Sequence, residues 1–147
     1  SGFNQKARSK AGAVGVMQVL PKTAADPNVG VRNIHILEKN IHAGTKYLSV
    51  LRDRYFSDDG LDAFQQSLFT MAGYNAGPNR INRLRKEAER RRLDPNRWFN
   101  NVELVVAAKV GLEPVQYVGN IYKYYTAYKR AFAELEAREK ARKQVIE

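Results

Sequence analysis

From Asn33 to Leu135 apolar residues recur every three or four positions, and nowhere in the chain do they alternate every second one. Side chains three and four apart share one face of a helix, whereas a half-buried strand needs period two, so the pattern confines the chain to an all-α fold. Ile34, Leu37, Ile41, Leu48, Leu51 and Tyr55 mark a long amphipathic helix, with Asn33 as its cap and Gly44 as a close-packing point. The turn Ser57-Asp58-Asp59-Gly60 precedes a second helix from Leu61, capped by its aspartates, with Phe64, Leu68, Met71 and Ala72 on its apolar face. A third runs from Asn79 with Ile81, Leu84, Ala88 and Leu93 on one side. A short one, Val102 to Val110, is capped by Asn101 and ended by Gly111. The last carries the stripe Val115, Tyr117, Ile121, Tyr124, Tyr128, Phe132 and Leu135.

Breaks between these stripes are chemical. Gly73-Tyr74-Asn75-Ala76-Gly77-Pro78 ends the second helix, because glycine leaves helical geometry cheaply and proline lacks the N–H that would continue it. The first two dozen residues, Ser1 to Ala24, have no helical stripe, and three glycines and Pro21 punctuate them. On composition they read as a loop with a helical turn at Val16 to Leu20, stopped by Pro21 and followed by a new turn near Thr23. Asp26 to Val31 is a further turn-rich passage. Residues 1–135 are expected to form one domain and 136–147 a charged helical tail; from the end of the domain into the tail, Glu134 with Arg138, Glu136 with Lys140 and Glu139 with Lys143 are spaced for ion pairs.

A length of 147 residues suits one domain with one core. No apolar run is long enough to span a bilayer. Without cysteine there is neither a disulfide framework nor a thiolate metal site. His35 and His42 stand seven apart with no carboxylate or cysteine at ligand spacing, which reads as surface or packing histidines; no metal or cofactor is expected. The net charge of +10 favours polyanionic partners, among which nucleic acid, anionic lipid and acidic wall polymers are not distinguished by charge alone. Arg80, Arg83, Arg85, Lys86, Arg90, Arg91 and Arg92 read as the solvated face of the third helix. That helix lacks the interleaved aromatics of single-strand nucleic-acid grooves. Trp98 reads as a buried anchor before a sugar-stacking ring. Glu113 reads as an acidic side chain favoured at a helix N-terminus.

Four groups of residues, in order, resemble one family. Ser1, Phe3, Asn4, Ala7, Ser9, Gly12, Ala13, Gly15, Met17, Gln18, Pro21 and Thr23 follow the opening signature of the soluble lytic transglycosylase (SLT) domain. Asn40, Ile41, Gly44, Tyr47 and Leu48 match its next pattern. Gly73 to Pro78 resembles its Ala-Tyr-Asn-Ala-Gly-Pro, with glycine in place of the first alanine. Glu113, Tyr117 and Val118 match its Glu-Thr-x-x-Tyr-Val, with Pro114 in place of threonine. Leu93 to Trp98 resembles the Leu-Asn-Pro-Asn-Lys-Trp of the membrane-bound lytic transglycosylase F branch, where the similarity is greatest.

The resemblance implies a lysozyme-like (goose-type/SLT) helical domain that cleaves the β-1,4 bond between N-acetylmuramic acid and N-acetylglucosamine in peptidoglycan. In the family one glutamate protonates the bridging oxygen and then, as carboxylate, takes the proton from the muramyl C6 hydroxyl, which closes a 1,6-anhydro ring. That glutamate directly precedes the signature serine, so here it is expected one position before Ser1, with the first helix, and the chain as given is expected to be inactive. Ser1 and Tyr117 are implied to support the acid. Met17, Gln18, Tyr74, Asn75 and Glu113 are implied to line the sugar cleft. The implied partners are glycan strands and, secondarily, anionic wall polymer, in the bacterial periplasm or cell envelope, with a parent that the F branch allows to be membrane-associated. A non-catalytic wall-binding module of the same fold, a hydrolytic lysozyme and a basic nucleic-acid-binding helical protein are the alternative readings.

Overall fold

A computed structural model describes residues 3–146, with side chains described through residue 142. Among the described residues there are helices α1 (Pro21–Ala25), α2 (Leu37–Tyr55), α3 (Ala63–Ala76), α4 (Pro78–Arg90), α5 (Glu103–Lys109) and α6 (Leu112–Ile146), with a π-helical turn at Trp98–Val102 before α5. Among the described residues no strand forms; isolated antiparallel bridges join Arg8 to Val14 and Val14 to Val19. The all-α architecture read from the apolar spacing is the architecture found. Helix α3 lies at its centre, against α2, α4, α6 and the π-helical turn.

Two apolar clusters hold the chain. The larger surrounds Trp98 and Phe69, whose rings meet edge-on with centroids 5.8 Å apart, and Phe56 stacks on Phe69 from 6.2 Å. Trp98 is fully buried, as an anchor, and its backbone N–H donates to the Gln65 side chain at 2.9 Å. Phe56 also accounts for Gly73: a Cβ there would lie 2.6 Å from Phe56 Cε2, so the alanine of the family pattern has no room beside this phenylalanine. The smaller cluster gathers Val14, Val19, Ala24, Val29, Val31, Ile34 and Ala43. It packs the loop-rich N-terminal region onto α2.

Several local expectations are corrected. Val16 to Leu20 is no helical turn: Val14 and Val19 exchange backbone hydrogen bonds of 3.0 and 3.1 Å around a tight reversal. Pro21 starts α1 instead of stopping a helix, because a first-turn position has no use for the N–H that proline lacks. Asn33 has φ +57° and lies outside α2, which begins at Leu37. The α2 stripe is also displaced: Leu37 and Ile41 are exposed, and the face turned inward carries Asn40, Ala43, Gly44 and Leu51. Helix α3 begins at Ala63 and is capped by Asp62, whose carboxylate accepts from Gln65 N–H at 2.7 Å. Asn101 does not cap α5; its amide accepts from Asp94 N–H at 2.9 Å and braces the preceding loop.

Charge on α4 is divided. Arg90 and Arg91 turn onto Glu87 at the solvated surface, with contacts of 2.6 and 3.0 Å. Arg85 departs from the expected solvated face: it is buried, pairs with Asp58 at 2.6 Å, and donates to Pro95 O at 3.0 Å and Asn96 Oδ1 at 2.7 Å. Its guanidinium lies 4.9 Å from the Phe69 ring centroid. One side chain thereby fastens the turn before α3 and the loop after α4 to the core. The α6 stripe also departs from expectation. Val118 is buried and Tyr117 and Tyr122 pack on the core, but Tyr124, Tyr128, Phe132 and Leu135 are exposed. None of the charged side chains of α6 up to Arg142 forms an ion pair among the described residues, so the expected pairs of Glu134 with Arg138 and Glu136 with Lys140 are not made. Lys143, the expected partner of Glu139, lies outside the residues whose side chains are described.

Candidate active site

The site begins with the loop that carries Met17, and that loop is fixed by two polar side chains. Asn40, fully buried on α2, accepts from Met17 N–H at 2.8 Å and donates to Val14 O at 2.8 Å and Ile34 O at 2.9 Å. Gln5 accepts from Val16 N–H at 3.1 Å and donates to Ile34 O at 3.0 Å. A buried amide is stable only when its donors and acceptor are used, and here both Asn40 donors and its oxygen are. Met17 rests on Gly44, where a Cβ would come within 2.7 to 2.9 Å of three of its side-chain carbons. Gly44 is therefore the close-packing point its position suggested, and the methionine is what packs there.

Across from this loop stand the residues after the middle of α3. Tyr74 donates its hydroxyl to Met17 O at 2.7 Å, and its ring lies 5.4 Å from that of Tyr47. Burial drives the Tyr74 hydroxyl well above the usual phenol range, reinforced by the nearby Tyr117 and Tyr47. Burial also raises Tyr117, with Glu113 as the second cause. Asn75 donates to Glu113 Oε1 at 2.8 Å, joining the end of α3 to the first turn of α6. The Asn75 Oδ1 atom is buried and has no hydrogen-bond partner among the described residues. An unfilled acceptor of this kind fits a substrate N–H or hydroxyl.

The sequence-assigned residues thus meet in two linked groups. Met17 with Tyr74 forms one and Asn75 with Glu113 the other, and Tyr117 influences the charge state of Tyr74 and is itself influenced by Glu113. Gln18, at φ +49°, donates one amide N–H to Gly15 O at 2.7 Å. Ser1 lies outside the described residues. Sequence reasoning gave no role to Gln5 or to Asn40; the signal available for Asn40 was its place in the pattern it shares with Ile41, Gly44, Tyr47 and Leu48. Beyond Tyr47 a cavity of about 280 Å³ opens between α1, α2 and the start of α4, with Lys22, Asn28, Arg54 and Tyr55 among its walls. His35 and His42 are exposed, and no group of three or more metal-ligating side chains occurs among the described residues.

A carboxylic acid placed among Met17, Tyr74 and Tyr117 would be kept protonated near neutral pH, since burial disfavours the charged form. The same burial gives an alkaline signature. Tyr74 and Tyr117 hold their protons in the folded state to higher pH than in the unfolded chain, so their contribution is intact below about pH 10 and is lost as the pH rises past it. In an ultraviolet titration Tyr74 and Tyr117 are expected to ionise in a late step, only as the fold is lost; Tyr74→Phe removes part of that step. Ionisation of all tyrosines together, with the fold intact, would contradict it.

Residues 1–96 match the Transglycosylase SLT domain. The chain is similar to proteins named membrane-bound lytic murein transglycosylase F. It is 32% identical over 143 residues to that of Desulfosudis oleivorans, which covers 88% of this chain and 31% of the relative. It is 30% identical over 130 residues to that of Pseudomonas fluorescens, covering 80% and 26%, and 31% identical to that of Pseudomonas syringae pv. tomato, covering 80% and 25%. The chain thus spans between a quarter and a third of the length of these curated relatives.

Proposed function

Because the chain belongs to the transglycosylase SLT domain family, we propose that it is the glycan-cleaving domain of a peptidoglycan lytic transglycosylase, acting in the bacterial cell envelope with its acid supplied by a glutamate immediately before Ser1. One observation supports the reading above the others: three motifs far apart in sequence converge, through Tyr74 on Met17 O and Asn75 on Glu113, beside the half-buried tyrosines Tyr47, Tyr74 and Tyr117. An acid seated there protonates the glycosidic oxygen, and its carboxylate then removes the C6 hydroxyl proton so that this oxygen closes on C1 without water. Met17 and the two tyrosines hold the acid neutral. Asn75 Oδ1 and the Gln18 acceptor receive N–H groups of the N-acetyl substituents, and Tyr117 steadies the acid through its hydroxyl.

The test compares this chain with a form extended through the preceding residue. Both are incubated with purified peptidoglycan, and the released fragments are weighed by mass spectrometry. Products one water lighter than hydrolysis would give, from the extended form alone, are the expected result. Hydrated products would make the domain a lysozyme, and wall binding without products would make it a binding module. In the extended form Tyr117→Phe is expected to lower turnover on the order of tenfold or more while wall binding is retained. Unchanged turnover would remove Tyr117 from the machinery.

A further inference from the structure

The cavity of about 280 Å³ between α1, α2 and the start of α4 shares one wall with the candidate site. That wall is Tyr47, whose ring lies 5.4 Å from the ring of Tyr74. Burial raises the Tyr47 hydroxyl above the usual phenol range, and Tyr55 and Asp26, which also line the cavity, add to the shift. Pro78, at the end of the turn that carries Tyr74 and Asn75, is part of the same lining. The volume lies just under the ~300–1,000 Å³ of pockets for drug-sized ligands, so the cavity suits a group the size of an amino-acid residue and no folded partner.

Charge selects among the groups of that size. Lys22 and Arg54 line the cavity with exposed side chains, and neither forms an ion pair among the described residues. Asp26 is the one carboxylate of the lining. One of its oxygens accepts from the backbone and the side-chain amide of Asn28, both at 2.8 Å, and these bonds, with Arg54 nearby, hold it below the usual carboxylate range. Two cations against one anion leave the cavity at +1. A phosphodiester polymer would bring its charge against Asp26, and a bare sugar ring would leave both cations unused. A group that sets a carboxylate close to an amide or ammonium N–H, as an amino-acid residue does, engages all three. Such residues hang from the muramyl sugar of peptidoglycan as its stem peptide. Two extended residues span about 7 Å, enough to run from a sugar beside Tyr74 past Tyr47 into the cavity.

We propose that this cavity is a subsite for the stem peptide of the glycan strand, in which Lys22 and Arg54 bind a peptide carboxylate and Asp26 accepts an N–H of the same residue. The inference rests on the glycan-cleaving reading for the source of its ligand, and it narrows the substrate to glycan that carries peptide.

Two measurements test it. In the first, the 147-residue chain is titrated with the tripeptide L-alanyl-γ-D-glutamyl-meso-diaminopimelate and followed by nuclear magnetic resonance. Saturable shifts of the Thr23, Asn28 and Tyr55 backbone amides are expected, with affinity lowered about tenfold or more by Arg54→Gln and by amidation of the peptide carboxylates. Arg54 is exposed, so its variant should keep the helical circular dichroism of the domain. In the second, the form extended through the residue before Ser1 is given glycan with its peptides or stripped of them; faster cleavage of the peptide-bearing glycan is expected, a preference that Arg54→Gln reduces. Absence of tripeptide binding would overturn the proposal, as would binding indifferent to Arg54→Gln or to amidation, or equal cleavage of the two glycans. Displacement of the tripeptide by poly(glycerol phosphate) would also overturn it and assign the cavity to anionic wall polymer. Cleavage without tripeptide binding rejects the subsite and leaves the glycan-cleaving reading standing. Arg54-dependent binding without cleavage of either glycan upholds the subsite and rejects that reading.

Discussion

Asn40→Ala is expected to lower the unfolding free energy by about 3 kcal/mol, and to abolish wall cleavage by the extended form. Truncation removes all three hydrogen bonds of a fully buried amide and orphans Met17 N–H, while Val14 O keeps Val19 N–H and Ile34 O keeps Gln5. A buried group left without a partner costs about 1–3 kcal/mol, and the two lost bonds to carbonyls add to it. Asn40→Asp is no rescue, because a carboxylate accepts from Met17 but cannot donate to Val14. Urea unfolding with an unchanged slope would measure the loss. A deficit under 1 kcal/mol would mean that water or loop rearrangement replaces the clamp.

Trp98→Ala should cost about 3–5 kcal/mol, the range for removing a large aromatic from a closed core. Trp98 is fully buried and meets Phe69 edge-on, so the hole cannot fill from solvent or by a simple rotamer change. Trp98→Phe should cost much less. The indole Nε1 is buried without a hydrogen-bond partner among the described residues, so phenylalanine gives up volume but also removes an unsatisfied donor. Equal losses for the two variants would show that the indole nitrogen has a partner after all. Glycan fragments should leave Trp98 fluorescence unchanged in either case, since the ring anchors the core.

Apolar spacing was sufficient for the helices because three-to-four periodicity states which face is covered, and Leu51, Leu68, Ile81 and Leu84 are all inside. It failed where a face is apolar yet uncovered. Ile41 and Tyr128 obey the period as well as Leu51 does, and nothing in their spacing says that no partner packs there. It failed again where a polar side chain is buried. Arg85 is one of seven basic residues in its stretch, and only the arrival of Asp58 and Asn96 from other segments separates it from Arg83. Within the candidate site, resemblance placed Met17, Tyr74, Asn75, Glu113 and Tyr117. The hydrogen bonds that unite them, Tyr74 to Met17 and Asn75 to Glu113, are tertiary facts that no local pattern carries. The clamp residues Gln5 and Asn40 were hidden for the same reason.

The loop that presents Met17 is held by partners that lie later in the chain, at Asn40 and at Tyr74, the second of them 57 residues away. During synthesis this segment leaves the ribosome before either partner exists. Its bridges around Val14 are too few to fix it alone, so it stays unformed until α2 and then α3 have emerged. The Met17 loop, translated before its partners, is thus among the last segments to take shape, and a nascent chain arrested before α3 would carry the loop without the hydrogen bond from Tyr74 that holds it.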